Sequence, residues 1–126
     1  MRDVEMTLAI ARLLKAFLED PLRPRHGYDL MRSTGFASGK IYPLLAKLQT
    51  AGWLTRERES VDPAAVGRPA RRLYRLSDEG TQAAWHALDE LSRDLAPPQP
   101  ATGRLRPSAD RQWPVGGPPQ PLADPT

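Results

Sequence analysis

The sequence predicts a mainly helical fold carrying a small β-hairpin, class α+β, and three observations lead there. Before residue 53, three segments repeat their apolar residues at helical spacing, each with its own stop signal. Two short extended runs follow, Trp53–Glu59 and Arg71–Leu76, separated by SVDPAAVGRPA with its glycine and prolines. A last amphipathic segment opens on Ser77 with acids directly behind it.

In the first segment Met6, Ile10, Leu13, Leu14, Phe17 and Leu18 fall on one helical face. Asp3 or Thr7 marks its start, and Asp20-Pro21 ends it, because the residue before a proline resists the α region. A shorter helix is expected from about Arg25 to Ser33, burying Tyr28, Leu30 and Met31, with Gly35 as its stop. The third is SGKIYPLLAKLQT. Ser38 is its expected N-cap, Ile41, Leu44, Leu45 and Leu48 form its buried stripe, and Gly52 stands where a left-handed cap is wanted. Pro43 lies near the first turn, where a missing N–H costs least.

The run Arg71–Leu76 alternates, with Tyr74 and Leu76 on one face and Leu73 and Arg75 on the other. Ser77 then caps a final helix whose first turn holds Asp78 and Glu79, where the helix dipole favours acids. Its apolar positions, Ala84, Trp85, Leu88, Leu91 and Leu95, are spaced like a coiled-coil seam. The expected divisions are residues 1–76, a terminal helix at 77–96 and a tail at 97–126. Nine of the chain's 14 prolines lie in that tail, so it is expected to stay disordered.

Composition narrows the chemistry. With 126 residues the chain holds one domain and a tail, and with no cysteine it forms neither disulfides nor thiolate metal sites. Its two histidines, His26 and His86, lack ligand-like spacing, so no metal and no cofactor are expected. No apolar run approaches the roughly 20 residues that span a bilayer, and the N-terminus carries no cleavage signature. A reducing cytoplasm is the expected setting, with no membrane partner. Paired carboxylates, a metal cluster or a nucleophile with an oriented base are missing from the sequence pattern, which argues against an enzyme.

Charge points elsewhere. The net charge is only +3, yet RPARRLYR gathers Arg68, Arg71, Arg72 and Arg75 with no acid among them. Such a run is either a solvated strand or a contact for a polyanion. Three helices followed by a hairpin is the order of a winged helix-turn-helix, whose second paired helix enters the DNA major groove. Residues 38–52 would be that helix, with Gly39, Pro43, Ala46, Lys47 and Thr50 facing away from the apolar stripe and Lys40 and Tyr42 on its flanks. No acid occurs between Ser38 and Arg56. Lys40 and Lys47 are candidate base readers, Ser38 and Gly39 present backbone N–H groups, and Tyr42 is either a phosphate contact or packed against the first helix. The four arginines would hold phosphates from the wing, Arg68 at its tip.

Several runs together resemble the PadR-type transcriptional regulators. They are His26-Gly27-Tyr28, Ser38-Gly39 with Ile41-Tyr42-Pro43-Leu44-Leu45, Gly52-Trp53-Leu54, and Gly67-Arg68-Pro69 with Tyr74, Leu76 and Gly80. The likeness covers roughly Leu8 to Leu95. It implies a bacterial dimeric repressor whose C-terminal helix exchanges with its partner, and often a small aromatic or drug-like effector. That family tolerates proline at the position of Pro43. A single helix after the wing places this chain with the short-armed members.

The last helix has two readings. Trp85, Leu88, Leu91 and Leu95 pair with a second copy in a homodimer, or the helix folds back on the first. Pairing removes an exposed apolar stripe and yields a twofold reader of an inverted repeat, half-sites roughly 34 Å apart. Trp85 would fill the seam or stack on an effector. The leading expectation is a DNA-binding repressor. Its rival is a winged-helix module that docks proteins through the Pro-rich tail.

Overall fold

Of the two candidate starts for the first helix, Thr7 is the one used. Its hydroxyl accepts the Ile10 N–H at 3.1 Å, satisfying a free donor of the first turn, and α1 runs Leu8–Leu18. The structure is a computed structural model that describes residues 2–101. Ile10, Leu13, Leu14, Phe17 and Leu18 are buried as their spacing predicts. Met6 lies in the segment ahead of the helix and packs half-buried against the same core.

The second helix differs from expectation. Arg25 and His26 form a short strand, β1 (Arg25–His26), opposite Tyr74 and Leu73, and α2 runs Gly27–Thr34. A two-residue strand has no period to detect, and its pairing is decided by a partner almost fifty positions away. Tyr28 is 64% exposed, not buried. It stands two residues, about 200° of helix, from the fully buried Leu30, so burying one turns the other outward. Gly35 closes α2 at φ 79°, the left-handed conformation glycine adopts without strain.

After the turn Gly35–Ala37, α3 runs Ser38–Thr50. Ser38 is its first residue and not its cap. The Ala37 carbonyl already accepts the Ile41 N–H at 3.0 Å, which moves the boundary one residue earlier and leaves the cap without a side-chain bond. Ile41, Leu45 and Leu48 are fully buried beneath it, and Leu44 partly. Pro43 lies inside the helix, past the first turn, and cannot donate to the Gly39 carbonyl.

The hairpin pairs β2 (Leu54–Arg58) with β3 (Arg72–Leu76), in register from Leu54–Leu76 to Arg58–Arg72. With β1 on the other side of β3 the sheet has three strands, one more than predicted. Tyr74 and Leu76 are buried, as their alternation requires. Where a plain loop is expected, Pro63–Val66 form a one-turn helix, α4, capped by Asp62. Asp-Pro at N-cap and first position is a helix start that the surrounding prolines disguise.

The final helix α5 (Asp78–Asp94) opens as predicted, with Ser77 Oγ accepting the Gly80 N–H at 2.9 Å. The same hydroxyl donates to the Gly52 carbonyl at 2.9 Å, and Ser77 N–H donates to the Trp53 carbonyl at 3.0 Å. A Cβ on Gly80 would lie 2.1 Å from that carbonyl oxygen. The helix packs on α1 through buried Ala84 and half-buried Ala83, Ala87 and Leu88, while Trp85 and Leu95 stay 53% and 63% exposed. One residue of helix turns about 100°, so Ala84 and Trp85 cannot face the same way, and the apolar set divides between the core and the surface.

All these elements belong to the compact unit Met1–Leu95. A second unit begins at Ala96; its described residues, 96–101, form no helix or strand. Most of the Pro-rich segment expected to be disordered, Trp113 included, lies outside the described residues. Among the described residues no helix is long and apolar enough to cross a membrane.

Candidate nucleic-acid interface

The helix pair is held by a buried guanidinium. Arg25 is 4% exposed; its Nη1 donates to the Ala16 carbonyl at 2.8 Å and its Nη2 to Ser33 Oγ at 2.7 Å, while Nε pairs with Asp29. It thereby joins the end of α1 to both turns of α2. Its hydrogen bond holds the Asp29 carboxyl below the usual carboxylate range. The sequence reading assigns Arg25 no such role.

On this frame α3 presents its acid-free side. Ser38, Gly39 and Lys40 are exposed, and beyond its neighbours and the local helix backbone nothing lies within 4 Å of where a Cβ on Gly39 would sit. The Lys40 ammonium rests 4.7 Å from the Phe36 ring centroid, a cation–π contact of about 0.5–1 kcal/mol at an exposed site. That is weak enough to exchange for a better partner. Pro43, Lys47 and Thr50 are exposed too, but they share a groove with residues 2–5. This N-terminal arm is not foreseen by the sequence. It is fastened by Arg2 N–H to the Ala51 carbonyl at 2.8 Å and by the Trp53 indole N–H to the Arg2 carbonyl at 2.7 Å.

The structure divides the four wing arginines. Arg68 forks onto Glu59, at 2.7 and 3.1 Å, and Glu59 also accepts the Arg71 N–H at 3.1 Å. These bonds pull the Glu59 carboxyl from 4.5 down to about 2, so at neutral pH the pair is fully ionised and ties the wing loop together. Arg75 lies on the face opposite Arg72, 3.9 Å from Glu57. Arg72 is exposed and directly across from Arg58, with Arg56 two positions along the same face. Arg56 and Arg58 are absent from the predicted set, although strand alternation makes them legible.

Arg71 donates to His26 Nε2 at 3.1 Å, while His26 Nδ1 accepts the Asp29 N–H at 3.3 Å as the cap of α2. A neutral imidazole offers only one lone pair in its ring plane, so the two contacts compete for it. Burial, reinforced by Arg71, lowers the His26 pKa and keeps the ring neutral. Tyr42, Arg71 and Arg72 meet around one cavity, which also takes in the unforeseen Tyr28 and His26.

This geometry has relatives. Over an alignment of 74 residues the chain is 38% identical to Transcriptional regulator Rv3488 of Mycobacterium tuberculosis, covering 56% of this chain and 59% of that protein's length. Among solved structures, smu.1704 from Streptococcus mutans UA159 superposes with a TM-score of 0.59 at 22% identity, over 80% of this chain and 92% of that one. Overoxidized AbfR bound to DNA follows at 0.53 and 24%, over 68% and 60%. At such identities the likeness establishes the fold, a winged helix-turn-helix with α3 as the second helix of the pair. Residues 14–85, from the middle of α1 through the wing to Trp85, match the Transcriptional regulator PadR-like family. By that match the chain belongs to the PadR-like family of transcriptional regulators.

Proposed function

We propose that this protein binds double-stranded DNA, seating α3 in the major groove with the β2–β3 wing against the adjoining backbone, and represses transcription from that site. The observation that carries the reading is the exposed start of α3, a helix with no acid of its own, whose Tyr42 shares a cavity with Arg71 and Arg72, guanidiniums that form no ion pair among the described residues. Ser38, Gly39 and Lys40 lead into the groove, with Pro43, Lys47 and Thr50 along the helix. Lys40 is the base reader once it leaves Phe36. Arg68 acts by ordering the wing through Glu59, and Arg75 stands on the strand face opposite Arg72, beside Glu57. The DNA-bound structures of AbfR lend the reading support.

The reader is a homodimer joined through α5. Trp85 and Leu95 support this, being large apolar groups left largely in water. A second copy laid along Trp85, Leu88, Leu91 and Leu95 would cover them and present two α3 helices to an inverted repeat. An aromatic effector stacking on Trp85 would change the angle between the copies and relieve repression.

A gel shift on the protein's own upstream region tests the core of this. Binding should exceed that to random duplex and weaken steeply with salt, as expected when several phosphates are neutralised. Equal affinity for all duplexes with a flat salt response would sink it. Sedimentation should show a dimer, and Trp85→Glu should return it to monomer.

A further inference from the structure

A cavity of about 470 Å³ opens between the start of α2, the flank of α3 and the beginning of β3, lined by His26, Gly27, Tyr28, Tyr42, Arg71 and Arg72, with Tyr74 of the core as part of its wall. Its chemistry is one-sided: three phenols, of which Tyr74 is buried, two guanidiniums, an imidazole and no carboxylate. Arg68 and Arg75 each face an acid, whereas the guanidiniums of Arg71 and Arg72 form no ion pair among the described residues. Tyr28 and Tyr42 keep 64% and 45% of their surface exposed, beyond the core that buries Tyr74.

Gly27 explains how the phenols come so close. A Cβ there would lie 2.2 Å from the Tyr42 hydroxyl oxygen, so the hydroxyl occupies the space a side chain would fill. Glycine at this position brings a phenol of α3 against the first turn of α2, beside the wing.

Phenol and guanidinium groups both donate, and together they suit a compact anion with several acceptor oxygens. The ligand must touch α3 through Tyr42 and the wing through Arg72 at once. If α3 lies in a groove, that position is the edge of the groove, where the sugar–phosphate chain runs. We propose that this cavity seats a single backbone phosphodiester of the bound duplex, gripped by Tyr28, Tyr42, Arg71 and Arg72 together, and that this phosphate fixes the register of α3 along the groove. The assignment rests on the DNA-binding reading above. It adds Tyr28 and the clearance at Gly27, and replaces scattered wing contacts by one defined subsite.

The test uses the full chain and a duplex it selects from random sequence, carrying a neutral methylphosphonate at one backbone position at a time. One position per half-site should lose affinity by about tenfold or more, the scale of a hydrogen bond to a charged group. Tyr28→Phe, which removes one exposed hydroxyl, and Gly27→Ala, which displaces the Tyr42 phenol, should each weaken the native duplex several-fold. Neither should cause further loss on the duplex already neutralised at that position. A methylphosphonate profile with no such position, or variant losses that persist in full on the neutralised duplex, would overturn the proposal while leaving DNA binding intact. Failure to bind any duplex would overturn both. Inorganic phosphate that shifts the Tyr28 ring resonances without competing with duplex would also overturn it, by assigning the cavity to a free anion.

Discussion

Arg25 and Arg72 sit on adjacent strands of one sheet and carry the same guanidinium, yet their surroundings are opposite. Arg25 is 4% exposed and spends its donors on Ala16, Asp29 and Ser33. Arg72 is exposed and pairs with no carboxylate among the described residues. A buried guanidinium persists only when its charge and donors are answered within the fold. One left unanswered at the surface is available to something outside. The contrast separates the part of the molecule that holds α2 against α1 from a part whose charge the fold leaves free.

The largest expected effect lies on the inner side of that contrast. Arg25→Met leaves a buried carbonyl without its donor and Asp29 with only the exposed Arg23, 3.8 Å away, and should destabilise the fold by about 3 kcal/mol or more. Chemical denaturation followed by circular dichroism would measure it, and a loss under about 1 kcal/mol would erase the distinction. Next comes Lys40→Ala, expected to cost about 1–3 kcal/mol of binding at one base position and little at others. An equal loss on every sequence would make Lys40 a backbone contact instead. Arg72→Ala should leave stability within about 0.5 kcal/mol. Its effect belongs in the salt dependence of binding, whose slope should fall by about one unit on all duplexes. An unchanged slope would move Arg72 out of the interface.

The smallest effect concerns the wing's own tie. With the folded Glu59 pKa at about 2 against an ordinary 4.5, the unfolded chain takes up the proton first as the solution is acidified. The stabilising contribution of the Arg68 pair is therefore fully present above pH 4.5 and fades as pH falls toward 2. Carboxyl chemical shifts should follow that low midpoint, and Arg68→Ala should return it toward 4.5. An ordinary midpoint in the native chain would mean that the wing loop is held by α4 alone.

The helices were legible because their burial repeats locally: Ile10 to Leu18 and Ile41 to Leu48 state their faces within a few turns. What escaped the sequence is set by distant partners. Strand β1 exists because β3 offers an edge to it, and the N-terminal arm because Ala51 and Trp53 bind its backbone. For the candidate site, Tyr42, Arg71 and Arg72 were marked by charge and by their place around α3. Tyr28 reads as core because it is aromatic and near Leu30, although helical geometry separates the two. Arg68 and Arg75 looked equivalent to Arg72 on paper, since a run of arginines does not show which of them will find Glu59 or Glu57.

One junction carries a mechanical consequence. The first turn of α5 is pressed against the Trp53 carbonyl so closely that even a methyl group at position 80 has no room, and Ser77 stitches the same point twice. Reader and handle are thus cast as one piece, without a swivel between them. If two subunits paired through the handle, a change in how the handles meet would be passed to both reading heads.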